Sequence, residues 1–327
     1  MIENDKKAAC LMGALVGDAA SLGCHWIYDV DRLALINEQN GGMTAFTPID
    51  PENYADVPSS FVHGQRSDGM LSHYGETLRL AIRSMIEFGG TFDIASYQQD
   101  YFEFFGPGGR YQGYIDHATR GTIGNISNEI LDPSGVDDGQ HPAITRLPAI
   151  VVCYGGGYEP DGVGDEDFAA EVEDAIRVTN VNDDASTYGY VFADLLRRVL
   201  NGAEISDAMA MVAAEAPDRI KQSLIDALNS DEESSTIYGE ATGRACNLEM
   251  SVPLIFHILK RASGFEEAIE MNNLAAGDNA GRAIILGSLM GARFGIAGEH
   301  GIPLAWILST HEATALWREC ETLAEMG

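Results

Sequence analysis

Two short stretches, one near each end of the chain, hold side chains whose types could do chemistry together. Gly17 to Asp29 is GDAASLGCHWIYD and Ala275 to Gly295 is AAGDNAGRAIILGSLMGARFG. Each sets an Asp directly behind a Gly, Asp18 and Asp278, and runs into an apolar helical pattern. An Asp so placed either caps a helix by accepting backbone N–H bonds, or aims a carboxylate at a metal or substrate where several helix ends converge. Groups able to bind and orient a ligand lie close by. His25, Trp26 and Tyr28 follow the first Asp, Arg282 comes one turn after the second, and a third stretch (Ser67 to Met85) contributes His73, Tyr74 and Glu76. Trp and Tyr join an apolar face to a polar tip, which suits stacking on a sugar or base. Core filling is the competing role for Trp26 and Tyr28, and a hydrogen-bonded structural role competes for His25 and His73.

The elements that must hold these groups are helices. Apolar residues recur at helical spacing over Lys7–Leu22, Gly75–Phe88, Asp93–Phe105, Gly113–Ile130, Thr145–Tyr154 and Asp165–Thr179,. The pattern continues over Ala185–Asn201, Ser206–Ala216, Asp218–Ser230, Ser251–Arg261 and Phe265–Asn273, and through the stretch after Asp278. Gly89-Gly90 supplies the punctuation expected at a helix C-terminus,. Alternating β-branched runs are nearly absent, and Ile150–Tyr154, the one passable strand, has flanks that favour helix. The expected fold is all-α, a single compact multi-helix domain over residues 1–327. Polar stretches at Asp50–Asp68, Asp132–Gln140, Gly155–Gly164 and Asn229–Gly239 are loop-sized. Gly287, Gly291 and Gly295, four apart, give one helix face on which a neighbouring backbone approaches closely, so that helix is expected to be central,.

Charge narrows the partners. Twenty Lys and Arg against 50 Asp and Glu leave a formal charge of −30. That argues against a nucleic-acid backbone or an anionic membrane surface, both of which need clustered basic charge. The N-terminus lacks the basic start and apolar core of a secretory signal, and the best apolar segment, Ala283 to Ile296, is too short to span a bilayer and contains Arg293,. Five scattered cysteines with no Cys-X-X-Cys pair form neither a disulfide framework nor a zinc ribbon,. A cytoplasmic location is the default expectation. No dinucleotide or phosphate-loop fingerprint is present.

The ordered motifs resemble the ADP-ribosylglycohydrolase family over roughly residues 8 to 310. The second stretch is similar to that family's Gly-Gly-Asp-Thr-Asp-Thr signature, and the first to its N-terminal Gly-Asp-Ala motif. HYGET (His73 to Thr77) sits where the family carries Thr-Asp-Asp-Thr, and HPAITRLPAI (His141 to Ile150) where it carries Asn-Gly-X-hydrophobic-Met-Arg-X-X-Pro. The HWIYD, HYGET and GDNAGR wording is closest to the J-crystallin branch. The resemblance implies a protein that binds and hydrolyses an ADP-ribosyl, ribosyl or related glycosidic linkage, on a small-molecule glycoside or nucleotide-sugar, with divalent-metal assistance. The second reading is a non-catalytic ligand-binding or crystallin-like structural descendant.

In the family, clustered carboxylates and hydroxyls hold two Mg²⁺ ions, hard cations that need oxygen ligands. The matched positions make Glu76 and Asp278 the catalytic and metal-ligating carboxylates, with the Asn279 carbonyl as a neutral ligand. Gly75, Ala280 and Gly281 remove oxygens from the pattern, and His25 stands where the family has an acid. One Mg²⁺ (or Mn²⁺) is therefore expected rather than two. A metal-free site is the alternative, with Arg282 paired to Asp278 or Glu76 in place of the ion. The Asp137–Pro142 turn matches a phosphate-contacting loop and makes Gln140 and His141 ligand-binding candidates. Its two Asp residues disfavour an anionic ligand and point to a neutral or smaller glycoside. Asn180 stands where the family often has the His of a Thr-His pair. With Asp18, His25, Trp26, Tyr28, His73, Tyr74 and Arg282, these complete the expected binding set. The Phe104–Tyr114 loop, with its GPGG run, is either a lid or an ordinary connection.

Overall fold

Capping explains where most helices begin. In a computed structural model describing residues 3–156 and 165–327, an Asp, Asn or Ser side chain accepts a backbone N–H at the start of many of them. α1 spans Glu3–Ser21, and α2, Val30–Gln39, is capped by Asp29. α3 (His73–Glu87) is capped by Ser72, α4 (Ile94–Phe105) by Asp93 and α5 (His117–Ser127) by Asp116. α6 is Leu147–Tyr154, α7 Asp165–Arg177, and α8, Asp183–Leu200, is capped by Asn182. Then come α9 (Ile205–Glu215), α10 (Asp218–Asn229), α11 (Ser235–Thr242), α12 (Leu248–Arg261) and α13 (Phe265–Leu274). Asp278 caps α14 (Asn279–Phe294), and α15 (Leu304–Ser309) and α16 (Ala313–Met326) complete the chain. Among the described residues there is no strand, only isolated bridges.

The molecule is built round α1 and α14. A methyl group added at Gly13 would overlap the carbonyl of Gly287, and one at Gly291 the carbonyl of Ala9. The two backbones therefore touch where side chains are missing, which brings residues from the two ends of the sequence together. α3, α6, α8, α13 and α16 pack round this pair, and one continuous apolar core runs from Cys10 to Leu323. The segment Glu3–Cys24 is long and apolar enough to cross a membrane, but it is wholly buried as the core helix.

Several expected boundaries move. Asp18 lies inside α1, not in a turn. Residues 113–116 are extended chain, so the helix expected from Gly113 starts at His117. The helix expected over Thr145–Tyr154 starts at Leu147 as α6, after a short 3-10 turn at His141–Ala143. α2, α11, α15 and α16 carry no sequence expectation, and α11 falls partly within the supposed Asn229–Gly239 loop. Most of the expected Gly155–Gly164 loop lies outside the described residues. The Phe104–Tyr114 segment is an ordinary connection: Tyr111 is buried against Phe104 and Phe105, and Arg66 stacks over its ring at 5.0 Å.

Candidate functional site

Asp278 is the hub. The close α1–α14 packing brings it against residues of the N-terminal stretch, where its buried carboxylate is surrounded by polar groups. Oδ1 lies 2.9 Å from His25 Nε2 and accepts the Gly281 N–H at 3.1 Å. Oδ2 accepts the Tyr74 hydroxyl at 2.9 Å and lies 3.3 Å from His141 Nδ1. Burial opposes its ionisation, but His141 and His25 outweigh it and hold Asp278 well below the usual carboxylate range. Burial conversely lowers His25, which is neutral and serves Asp278 as an N–H donor.

An acceptor-only carboxylate fixes the protons around it. His25 must carry its proton on Nε2, so its Nδ1 is an acceptor for His63 Nε2, 2.6 Å away. His141 turns Nδ1 towards Asp278 and pairs through Nε2 with Ser251 Oγ. A single chain of contacts thus runs His63–His25–Asp278–His141–Ser251.

Asp18 does not cap its own helix; it anchors the next element. Its oxygens accept Ser72 N–H at 2.7 Å and Ser72 Oγ–H at 2.5 Å, and Ser72 Oγ caps α3 by accepting Tyr74 N–H. Burial raises Asp18 from 3.8 to about 7. Gly75 is required here, since a β-carbon would overlap the Asp18 carboxylate. Asp18 thereby sets the start of α3, and the start of α3 sets Tyr74.

Aromatic rings pack beside this network. Trp26 and Tyr114 pack edge to face at 5.0 Å, and His73 meets Tyr114 at 5.5 Å and Tyr74 at 3.9 Å. Trp26 holds a left-handed backbone, φ 67°, as does Ala276 at φ 68°. Such a conformation costs about 1–3 kcal/mol at a residue with a β-carbon. It is locked by the reciprocal bonds Trp26 N–H to Gly277 O and Gly277 N–H to Ile27 O. Arg282 secures the same turn: its guanidinium donates to Asn272 Oδ1 (2.8 Å), Arg244 O (3.1 Å) and Ala276 O (2.5 Å). The expected pairing of Arg282 with Asp278 or Glu76 does not form, because carbonyls at the end of α13 supply the negative partial charge it needs. Tyr28, half-buried, feels Asp278 and Arg282, and its phenol is raised to about 12, mainly by burial.

Two further carboxylates, Asp116 and Asp138, are buried. Asp116 caps α5, and its Oδ2 lies 3.1 Å from His73 Nε2. Burial works against that carboxylate, but the His73 bond prevails and its pKa is lowered. Asp138 accepts Gln140 N–H at 2.9 Å and lies 2.9 Å from His117 Nδ1, with burial raising its pKa. Asn180 donates to the Asp138 carbonyl at 2.7 Å. The thiol of Cys246 is pushed up to about 12, chiefly by burial, with Asp278, Asp138 and Asp116 adding to the rise. The buried atoms Trp26 Nε1, His63 Nδ1, both ring nitrogens of His73, His141 Nδ1, Asn180 Oδ1 and Arg244 Nη1 have no hydrogen-bond partner among the described residues.

The residues expected to hold a divalent ion do not fit one. Asp278 already accepts hydrogen bonds from His25, Tyr74 and the Gly281 N–H, with His141 Nδ1 3.3 Å from Oδ2. Glu76 points away and pairs with Arg66 at 2.6 Å, in a small depression shared with Arg79, His311 and Glu312. Asn279 spends its amide on Ser21 O and Asn273 Oδ1 and leaves only its buried Oδ1 unpartnered. No three His, Cys, Asp or Glu side chains converge as a metal-binding set among the described residues. Gly281 explains part of this, because a side chain there would overlap the His141 ring that now faces Asp278. The phosphate-cradle expectation fares no better, for the Gln140 amide is spent on Asp138.

The ADP-ribosylglycohydrolase family model matches residues 2–327, and the chain belongs to that family. Its similar relatives include Crystallin J1A of Tripedalia cystophora, 24% identical over 98% of this chain and 97% of that protein. Crystallin J1B of the same animal is 25% identical over 94% and 92%. A solved structure titled ADP-ribosylglycohydrolase-related protein complex shares the fold, with a TM-score of 0.71 at 18% identity, covering 99% of this chain and 98% of that one.

The expected residues therefore divide. Asp18, His25, Trp26, His73, Tyr74, His141 and Asp278 form one connected network. Gln140, Asn180 and Tyr28 lie at its edge. Glu76 faces elsewhere, and Arg282 and Asn279 are structural supports. His63, Asp116, His117, Asp138, Tyr114 and Cys246 were missed as site residues. Asp116-His117 falls in a segment expected to be continuous helix, and His63 in a polar loop with no motif, so only the count of eight histidines hinted at them.

Proposed function

We propose that this glycohydrolase-type protein cleaves a neutral ribosyl or related glycosidic linkage without a resident metal. The observation that carries the reading is the pair of buried carboxylates Asp278 and Asp116, linked through Tyr74 and His73, whose rings pack against each other and, through His73, against the Trp26–Tyr114 pair. Carboxylates accept hydrogen bonds from sugar hydroxyls, and an aromatic face covers the ring. Fixed anions also stabilise the positive charge that develops at the anomeric carbon in an oxocarbenium-like transition state. The same anions repel phosphate, which favours a glycoside over ADP-ribose.

Turnover of 4-nitrophenyl β-D-ribofuranoside, with and without EDTA, tests this. The reading expects release of nitrophenolate that EDTA does not reduce. Activity that depends on added Mg²⁺ or Mn²⁺ would restore the metal-assisted mechanism. A second reading, a ligand-binding or structural crystallin-like protein, draws on the two crystallin relatives and on the closure of Asp278 from solvent. It is supported instead if ribose quenches Trp26 fluorescence without turnover, or if neither occurs.

A further inference from the structure

A cavity of about 340 Å³ opens at the C-terminal end of α14, lined by Asp5, Ala9, Phe294, Gly295, Ile296 and Trp317. Asp278 stands at the opposite end of this 16-residue helix, about 24 Å away along its axis,. The volume lies at the lower end of the range that small-molecule sites occupy, roughly 300–1,000 Å³.

The fold explains the space. α1 and α14 touch here, since a methyl group at Gly291 would overlap the Ala9 carbonyl. The chain then turns away at Gly295, whose φ of 73° ends the helix. The bonds Ile302 N–H to Gly295 O and Ala297 N–H to Ile302 O, both 2.9 Å, hold that turn. The lining is therefore small at Ala9 and Gly295. It is bulky at Phe294, Ile296 and Trp317, each partly buried against the main core.

That lining is also selective. Among its residues only Asp5 is charged, and no cation pairs with this exposed carboxylate among the described residues. Lys7, two positions on, is taken by Glu3 at 3.5 Å. The terminal carbonyls of α14 add negative partial charge at the same end. Arg293, the basic residue of the last turn, is spent elsewhere: Nη2 lies 2.6 Å from each Glu204 carboxylate oxygen, and the guanidinium covers the Phe294 ring at 5.5 Å. Trp317 is thus the main aromatic surface left, and indole is the best side-chain partner for a cation. An ammonium carrying N–H groups needs an acceptor for each, whereas Asp5 is the one carboxylate offered. A cation clothed in methyl groups has no such need.

We propose that this cavity binds a small organic cation of the quaternary-ammonium class, with its methyl groups against Trp317 and its charge beside Asp5. The site is separate from the network round Asp278 and does not rest on the glycohydrolase reading. The formal charge of −30 concentrates cations of every kind near the surface,. Choice among them comes from the lining.

Calorimetric titration of the full chain at about 0.15 M NaCl, where long-range attraction is screened, tests this. The probes are choline and its neutral carbon isostere, 3,3-dimethylbutan-1-ol. Choline should bind saturably and at least about tenfold more tightly than the isostere, the worth of a desolvated cation–π contact. Asp5→Asn, at an exposed position, should keep the wild-type melting temperature and weaken choline by about fivefold or more. Trp317→Leu should weaken it by at least as much, and Trp317→Phe, which keeps a ring in the packing, by less. No saturable heat with choline, an isostere that binds as tightly, or affinity unchanged in Asp5→Asn or Trp317→Leu overturns the proposal.

Discussion

His25 Nε2 lies 2.9 Å from Asp278 Oδ1, joining residues 253 positions apart in sequence. The contact exists because Gly13, Gly287 and Gly291 let α1 and α14 meet backbone to backbone. It also decides the electrostatics of the site. A carboxylate that accepts from His25, Tyr74 and a helix N-terminus, with the His141 ring beside it, is balanced by donors, not by a cation,.

Removing one donor should be felt. Tyr74→Phe keeps the ring and its packing but takes the hydroxyl from Asp278 Oδ2. A buried anion losing one hydrogen bond is expected to cost about 1–3 kcal/mol. Urea unfolding should show a lower midpoint with an unchanged slope.

Asp18 gives a pH signature. Its pKa is raised from 3.8 to about 7 by burial. The folded state then holds a proton that the unfolded chain has released, so this group's contribution is complete below about pH 4 and is lost as pH rises towards about 7. The full displacement corresponds to ~4 kcal/mol. Asp18→Asn should remove that slope, so the stability difference between variant and wild type should grow in the variant's favour from pH 4 to pH 8. A difference independent of pH would show that Asp18 is ionised throughout.

Much of the scaffold is legible in the sequence, and the reason is local. Caps such as Asp93 and Asp278, the Gly89-Gly90 stop and the Gly287/Gly291 face act within one or two helical turns. The site is less legible because its partners are chosen by packing. Glu76 and Tyr74 are two residues apart on α3 and face different ways, and the fold assigns Asp278 to Tyr74. Arg282 has the charge to pair with Asp278, yet the end of α13 offers carbonyls closer to hand. Asp116 looks like helix interior in the pattern, and its role as the cap of α5 appears only when residues 113–116 are seen to be extended.

Gly281 marks where this site departs from the family signature. A β-carbon there would collide with the His141 ring. Gly281→Ala should destabilise by about 1–3 kcal/mol through overpacking. His141→Ala in the same chain should return part of that loss, a non-additive result expected of residues in contact. Additive costs would mean the ring moves aside freely.

The most direct check on the central claim, that hydrogen-bond donors occupy the place of the metal at Asp278, is a magnesium titration followed by melting temperature. A folded-state ion site filled to 100 times its dissociation constant adds about 2.7 kcal/mol and raises the melting temperature by degrees. The account predicts no specific rise up to about 10 mM Mg²⁺, with wild type and Asp278→Asn responding alike. A saturable rise of several degrees in wild type that Asp278→Asn abolishes would contradict it.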